Sequence, residues 1–340
     1  MFAKSGKSLA KFLLGAVAAL GCSAAVQAET LTVEGTYAAS VDLPGDIDVI
    51  AVDRIAGRLG PDAQVAIMQT LGSVAVDGGR YFRVVQGNSA FAGGTVFLGN
   101  QPGVVTRGAS NVDAVLTGTL RADVFEQRSG WRTRRQCVAR DRDGDCIRRE
   151  EIRIPCFQLS VELQPRLALT SVDGRLLYAN NQPLIEVVRY CRDDFFIPSE
   201  LEIAGLLIDQ LAQAVRLDLA PETRVEGIRV MEMRKGLEGA DRKAFKDAIR
   251  LTKNDAYGAC LAFEDLEARN PAHVSVLFNI GLCREAEGDL VTAQGYYAQA
   301  LRADPGRDYP ELGLGRIASR ERAAFQLAAR QSRYAASSAQ

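Results

Sequence analysis

The stretch from Val112 to Leu169 constrains the fold more than any other. Val112-Asp113-Ala114-Val115-Leu116-Thr117-Gly118-Thr119-Leu120 reads as a strand, and Phe157-Gln158-Leu159-Ser160-Val161-Glu162-Leu163 as a second. Both are rich in apolar and β-branched residues at alternate positions. Between them, residues 127–156 carry nine arginines and three cysteines. Side chains of that charge stay in water. The two strands are therefore expected at a sheet centre, with residues 127–156 leaving it as a basic hairpin arm.

The chain begins with a targeting pattern. Lys4, Lys7 and Lys11 form a positive region, Phe12 to Leu20 is apolar, and Val26-Gln27-Ala28 is a small-residue cleavage site. Residues 1–28 thus read as a signal peptide. The apolar run is shorter than the ~20 residues a membrane-spanning helix needs, so no transmembrane helix is expected in the mature chain. Leu20-Gly21-Cys22-Ser23 gives a second reading, a lipid anchor at Cys22. Removal of the segment takes three of the 41 basic residues, leaving 38 against 42 acidic ones. That balance, with export, excludes nucleic acid as a partner. It points to the periplasm or the outer membrane of a bacterium.

Six of the seven cysteines lie beyond the leader. An even number in an exported chain suggests disulfides. Zinc fits poorly, because there is no Cys-x-x-Cys pair and His273 is the only histidine. Cys137 and Cys146 are symmetric about a turn, and a bond between them leaves Cys156 to pair with Cys191. Four cysteines allow three connectivities, and the others stay open here.

The remaining elements follow from periodicity. Thr30 to Val41 alternates weakly, Ile47 to Val52 is a strand, and Pro61 to Val76 has helical spacing. Tyr81 to Val85 is a strand. Gly87 to Asn111 is a long loop without a phosphate-binding glycine pattern. Arg166 to Thr170 and Leu176 to Ala179 flank an Asp173-Gly174 turn. Arg189 to Phe196 reads as irregular, Glu200 to Leu217 as an amphipathic helix, and Val225 to Val230 as a last short strand.

The expected fold class is α+β: a mixed α/β sandwich over 30–232 with the arm at 127–156. A linker at 233–240 then leads to an all-α module over 241–331, and residues 332–340 form a disordered tail.

The all-α module rests on a repeat. Pro271 and Pro305, Ala259 and Ala293, and Phe263 and Tyr297 are each 34 residues apart. Gly281 and Gly315 keep the same spacing. This is the tetratricopeptide period, with copies at about 240–273 and 274–307 and a capping helix at 312–331. The second copy resembles that family through Gly281, Ala293, Tyr297, Ala300 and Pro305. The first resembles it through Ala259, Phe263 and Pro271. Small residues let paired helices approach, the aromatic fills the groove, and the proline ends the helix. The resemblance implies a concave face for a peptide or partner helix, or a structural cap. Cys260 and Cys283 fall on neighbouring helices of such a stack, where a disulfide or two buried thiols both fit.

The α/β part resembles the domain shared by the curli secretion-channel lipoproteins (CsgG), the LpoB activator of penicillin-binding proteins and the N-terminal domain of TolB. The strand Val112 to Leu120 and the hairpin arm from Asp173 to Asn180 carry the likeness. The resemblance implies a non-enzymatic envelope protein acting through protein contacts, without a cofactor. In the curli channel the corresponding hairpin spans the membrane. Here Arg132, Arg134 and Arg135 occupy it, and arginine at this density does not face hydrocarbon.

Two readings of the arm stand side by side. One is a solvated hairpin with ion pairs, each worth at most ~1 kcal/mol. The other is a docking surface for envelope proteins or peptides, or an anionic envelope polymer, with Trp131, Arg132, Arg134, Arg135, Arg140 and Arg142 as its residues. Asp141, Asp143 and Asp145 resemble the start of a calcium loop. The positions that need glycine and glutamate hold Cys146 and Ile152, so no metal is expected. No nucleophile–base pair is apparent, which makes an enzyme the lesser expectation. The alternatives are a periplasmic hydrolase, with carboxylates converging near Gly87 to Asn111, and a calcium-dependent surface adhesin.

Overall fold

The computed structural model describes residues 29–76, 78–87 and 112–338, with side chains to residue 331. The expected signal peptide, Cys22 and the loop at 88–111 lie outside the described residues.

The elements in order are β1 (Thr30–Tyr37), β2 (Val49–Ala56), α1 (Gly60–Gly72), β3 (Ala75–Val76), β4 (Gly79–Arg80) and β5 (Arg83–Gln86). Next come β6 (Ala114–Arg140), β7 (Cys146–Ser171), β8 (Leu176–Asn180), β9 (Leu184–Cys191), α2 (Glu200–Leu219) and β10 (Glu222–Arg229). The chain ends in α3 (Gly239–Leu251), α4 (Ala256–Glu267), α5 (Val274–Ala286), α6 (Leu290–Ala303) and α7 (Asp308–Ser338). The fold is mixed α/β.

The main sheet runs β5-β2-β6-β7-β8, and β9 pairs with β7 beyond the end of β8. β2 is parallel to both β5 and β6, while β6 and β7 are antiparallel. Asp113 fixes the parallel junction, since its Oδ2 accepts from the amides of Asp48 (2.9 Å) and Val49 (2.8 Å). Helices α1 and α2 cover one face. Proline at the first turn starts α1. A capping box between Ser199 and Glu202 starts α2. Ile67 and Leu71 of α1 and Leu207, Leu211 and Val215 of α2 pack on Ile50, Leu116, Val161, Leu163 and Leu169. At Gly57, φ is 114° and a Cβ would meet the carbonyl oxygen of Leu120 at 2.0 Å. Only glycine admits the turn from β2 into α1 there.

Five expectations are corrected. Strand β6 does not break at residue 127: it is one strand of 27 residues paired to one of 26, with irregularities between Arg128 and Gly130 and near Cys137. The arm is thus the outward continuation of the sheet's central pair. The segment from Arg189 is regular as far as Cys191, where it completes β9. Strand β1 is not part of the main sheet. It pairs only with β10, and Leu31, Val33, Val230 and Met231 belong to the core of the helical region. The α/β unit therefore does not contain all of 30–232. Leu237, inside the expected linker, is buried in that same core, and α3 begins at Gly239. Finally, α7 starts at Asp308 and continues to Ser338, into the expected tail.

Helices α3 to α6 form antiparallel neighbours whose starts repeat: Gly239, Val274 and Asp308 for α3, α5 and α7, and Ala256 and Leu290 for α4 and α6. α7 reaches back to the α/β unit. Arg330, almost fully buried, donates to the carbonyls of Ile47 (2.7 Å) and Tyr81 (2.6 Å), pairs with Asp48, and stacks on the Tyr81 ring at 4.2 Å. Gln326 bonds both backbone groups of Ala39. The two cores are thus tied by one helix.

Candidate docking arm

The arm is set by strand pairing before any side chain acts. Beyond Cys156 and Cys191, which are register partners and disulfide-bonded, β7 has only β6 beside it. β6 loses its other neighbour even earlier, because β2 ends opposite Thr119. The arm is therefore a two-stranded ribbon, and such ribbons are marginal without a staple. Cys137 and Cys146 supply one near the tip. At the base the pairing shifts between Arg128 and Gly130, leaving Ser129 as the extra residue of a bulge, and Gly130 takes φ 141°. The pairings read from the sequence are those in the structure, and Cys260–Cys283 joins α4 to α5.

Trp131 is 54% exposed, with the Arg128 guanidinium 3.7 Å above its ring. Arg132 pairs with Asp193 at 3.2 Å and with Asp194, and Arg134 reaches Asp193 at 3.4 Å. These acids stand on the segment after β9, not on the arm. The Arg132 bond, then the Cys191 amide, hold the Asp194 carboxyl below the usual carboxylate range. Arg135 meets Glu151 across the ribbon and Arg148 meets Glu150. Arg140 donates to the Gly144 carbonyl at 2.8 Å. Among the described residues, Arg142, Arg149 and Arg153 have no carboxylate within ion-pair distance. The six arm residues expected to dock are all exposed. Arg132 and Arg134 are partly committed to shaping the base, while Arg142 and its unpaired neighbours remain available.

Asp141, Asp143 and Asp145 make a turn. Oδ1 of Asp141 accepts from the amides of Asp143 (3.1 Å) and Asp145 (2.8 Å). Its oxygen is thus engaged by backbone, as in an Asx turn. No group of three or more metal-ligating side chains occurs among the described residues.

In the helical region Ala259, Phe263, Ala293, Tyr297 and Ala300 are buried. Pro271 and Pro305 follow α4 and α6 at the surface. A Cβ on Gly281 would lie 2.8 Å from the Tyr297 ring, and one on Gly313 would lie 2.6 Å from its other side. The ring is held between these two glycines. Gly315, which keeps the 34-residue spacing, has nothing within 4 Å of that position. The Tyr297 hydroxyl donates to Glu285, a fully buried carboxylate also held by Arg316.

α5 is buried on every side. Strand β1 packs on it, and Asn279 bonds both backbone groups of Met231, at 2.8 and 3.0 Å. β1 also packs against α7, so the chain's own strand covers this side of α5 and α7. His273 caps α5: its Nδ1 accepts from the Val276 amide, and its Nε2 donates to the Lys235 carbonyl at 3.1 Å. Both ring nitrogens are thus engaged by backbone groups.

The sequence reading missed the exposed run Phe195-Phe196-Ile197 and the acids at 193 and 194. The signal was there: three apolar residues outside any periodic element. The role of Arg330 had no local signal, because its acceptors lie about 250 or more residues away.

No protein-family model matches the chain, and no curated protein matches it. Among solved structures, the globular C-terminal domain of P. aeruginosa LpoP is similar at 24% identity over 28% of this chain and 96% of that one, with a TM-score of 0.23. A PelC dodecamer from Paraburkholderia phytofirmans is similar at 14% identity over 55% and 98%, also with a TM-score of 0.23. Function is read from the site instead. No helix among the described residues is long and apolar enough to cross a membrane.

Proposed function

We propose that this chain is an exported, non-enzymatic accessory protein of the bacterial cell envelope that docks an acidic protein surface through the outer part of its arm. The observation that carries this reading is the ribbon itself. It extends the sheet's central strand pair, is stapled by Cys137–Cys146, and presents Arg142 and Arg149 on its outer half and Arg153 nearer its base, with no carboxylate partner among the described residues. A stapled ribbon loses less entropy on binding than a free loop, and arginine suits carboxylate recognition.

The helical region is read as two tetratricopeptide-like helix pairs with α7 as the start of a third. Support comes from the repeated helix starts and from Tyr297 packed against Gly281. With β1 covering one side of α5 and α7, this region serves as a scaffold that fixes the arm relative to the rest of the chain.

The test is cross-linking in the native envelope followed by mass spectrometry, with the wild type and with R142Q/R149Q/R153Q. Loss of the recovered partner in the triple variant is expected. Recovery at wild-type level would refute the docking role, and recovery of an acidic polymer in place of protein would redirect it.

A further inference from the structure

One surface is not used by the outer arm. Between β9 and α2 the chain exposes Phe195 at 107% and Phe196 at 69%, followed by Ile197 and, as the second residue of α2, Leu201. Consecutive aromatics this open do not belong to either core. Their position is fixed rather than loose. The amide of Arg192 donates to the Pro155 carbonyl at 3.1 Å, and Pro155 is the register partner of Trp131. Asp193 and Asp194 are held by Arg132, and Cys191 is bonded to Cys156. Trp131, Phe195 and Phe196 are thereby built into the same end of the molecule.

We infer that this end is a membrane-interface contact, in which Phe195, Phe196, Ile197 and Trp131 enter the headgroup region of an anionic bilayer and the neighbouring arginines meet its phosphates. Three observations favour lipid over a protein partner. First, the side chains project. Two shallow cavities of about 430 and 440 Å³ are lined by Val41, Leu176, Tyr178 and Asp218, and by Lys235, His273 and Asp304. Neither touches residues 192–201. Second, the residue types are those of the interface: tryptophan and phenylalanine beside arginine. Third, the charge is complementary. Arg128 lies over the Trp131 ring, and Arg192, three residues before Phe195, lies over the ring of Phe157. Of the nearby acids, Asp193 and Asp194 are neutralised by Arg132 and Arg134, and Glu202 closes the cap of α2.

The arm's arginines argue against spanning the hydrocarbon, but not against lying at its edge, where arginine keeps its head in water and phosphate. The inference rests on the proposed function for one thing, export, which brings the chain to a bilayer surface.

The experiment uses the chain from Glu29 onward, so that no acyl group contributes, with vesicles of phosphatidylethanolamine and phosphatidylglycerol. Trp131 is the only tryptophan, so its emission reports this surface alone. Co-flotation and a blue shift on adding vesicles are expected. The F195S/F196S variant is expected to lower the bound fraction by about tenfold or more, with its circular dichroism unchanged, and L201N is expected to weaken binding in the same direction. Absence of flotation by the wild type, or equal flotation by F195S/F196S, would overturn the inference. Equal binding to phosphatidylcholine alone would overturn the role given to the arginines. The R142Q/R149Q variant, which keeps the arginines around Trp131, separates the two readings: loss of the envelope partner with flotation retained leaves the membrane contact standing.

Discussion

Glu285 and Arg316 form a bidentate pair inside the helical region, with Nε to Oε1 at 2.9 Å and Nη2 to Oε2 at 2.6 Å. Glu285 is fully buried, and Tyr297 adds a third bond to it at 2.6 Å. Burial, then the charge of Glu285, pushes the Tyr297 phenol well up, so it stays a donor. A buried pair adds little relative to an apolar substitute, but half of one is costly. Arg316→Met is therefore expected to destabilise by about 3–5 kcal/mol, and E285L/R316M together by much less. Urea unfolding of the three proteins measures the difference.

The disulfides should separate by location. Cys260–Cys283 closes a separation of 23 residues within the helical core. Its removal as C260A/C283A is expected to cost about 3 kcal/mol, seen as a lower unfolding midpoint. Cys137–Cys146 lies on the arm, outside both cores. C137S/C146S should leave the midpoint where it is and speed limited proteolysis at the arm tip.

Arg330 latches α7 to the α/β unit through two carbonyls and Asp48. Arg330→Ala removes the donor that reaches the buried Ile47 and Tyr81 carbonyls and the charge facing Asp48, at an expected cost of about 3 kcal/mol. Amide exchange should rise in the last turns of α7 and around Tyr81, while α3 to α6 stay protected. Protection of α7 equal to wild type would show that the latch is dispensable.

His273 gives a pH signature free of other imidazoles, since it is the only histidine. Burial holds its pKa below the ordinary value. The folded state therefore keeps it neutral where the unfolded chain has begun to bind a proton. Its contribution to stability is present above the unfolded pKa and is lost as pH falls through the folded one. Below that, the protonated ring no longer accepts from the Val276 amide, and the start of α5 should loosen. Nitrogen-15 shifts of the imidazole, followed on acidification beside the Val276 amide, check the order of events.

The sequence alone determined the local elements and their chemistry. Prolines at the ends of α4 and α6, small residues beneath aromatics, the Ser199 cap and the cysteine symmetry about Asp141–Asp145 are short-range signals. They report backbone preferences that hold wherever the element is placed. The tertiary structure decided the partners. β1 reads like any edge strand, and nothing within it shows that it packs on α5 and α7 instead of joining the main sheet. Arg330 reads as one more surface arginine until α7 carries it against Ile47 and Tyr81. Residues 127–156 look like an interruption because charge breaks the apolar alternation, yet the backbone pairing of β6 and β7 is indifferent to that charge and runs through it. Long-range pairing depends on the surface left over when every other element has packed, and that surface is a property of the whole chain.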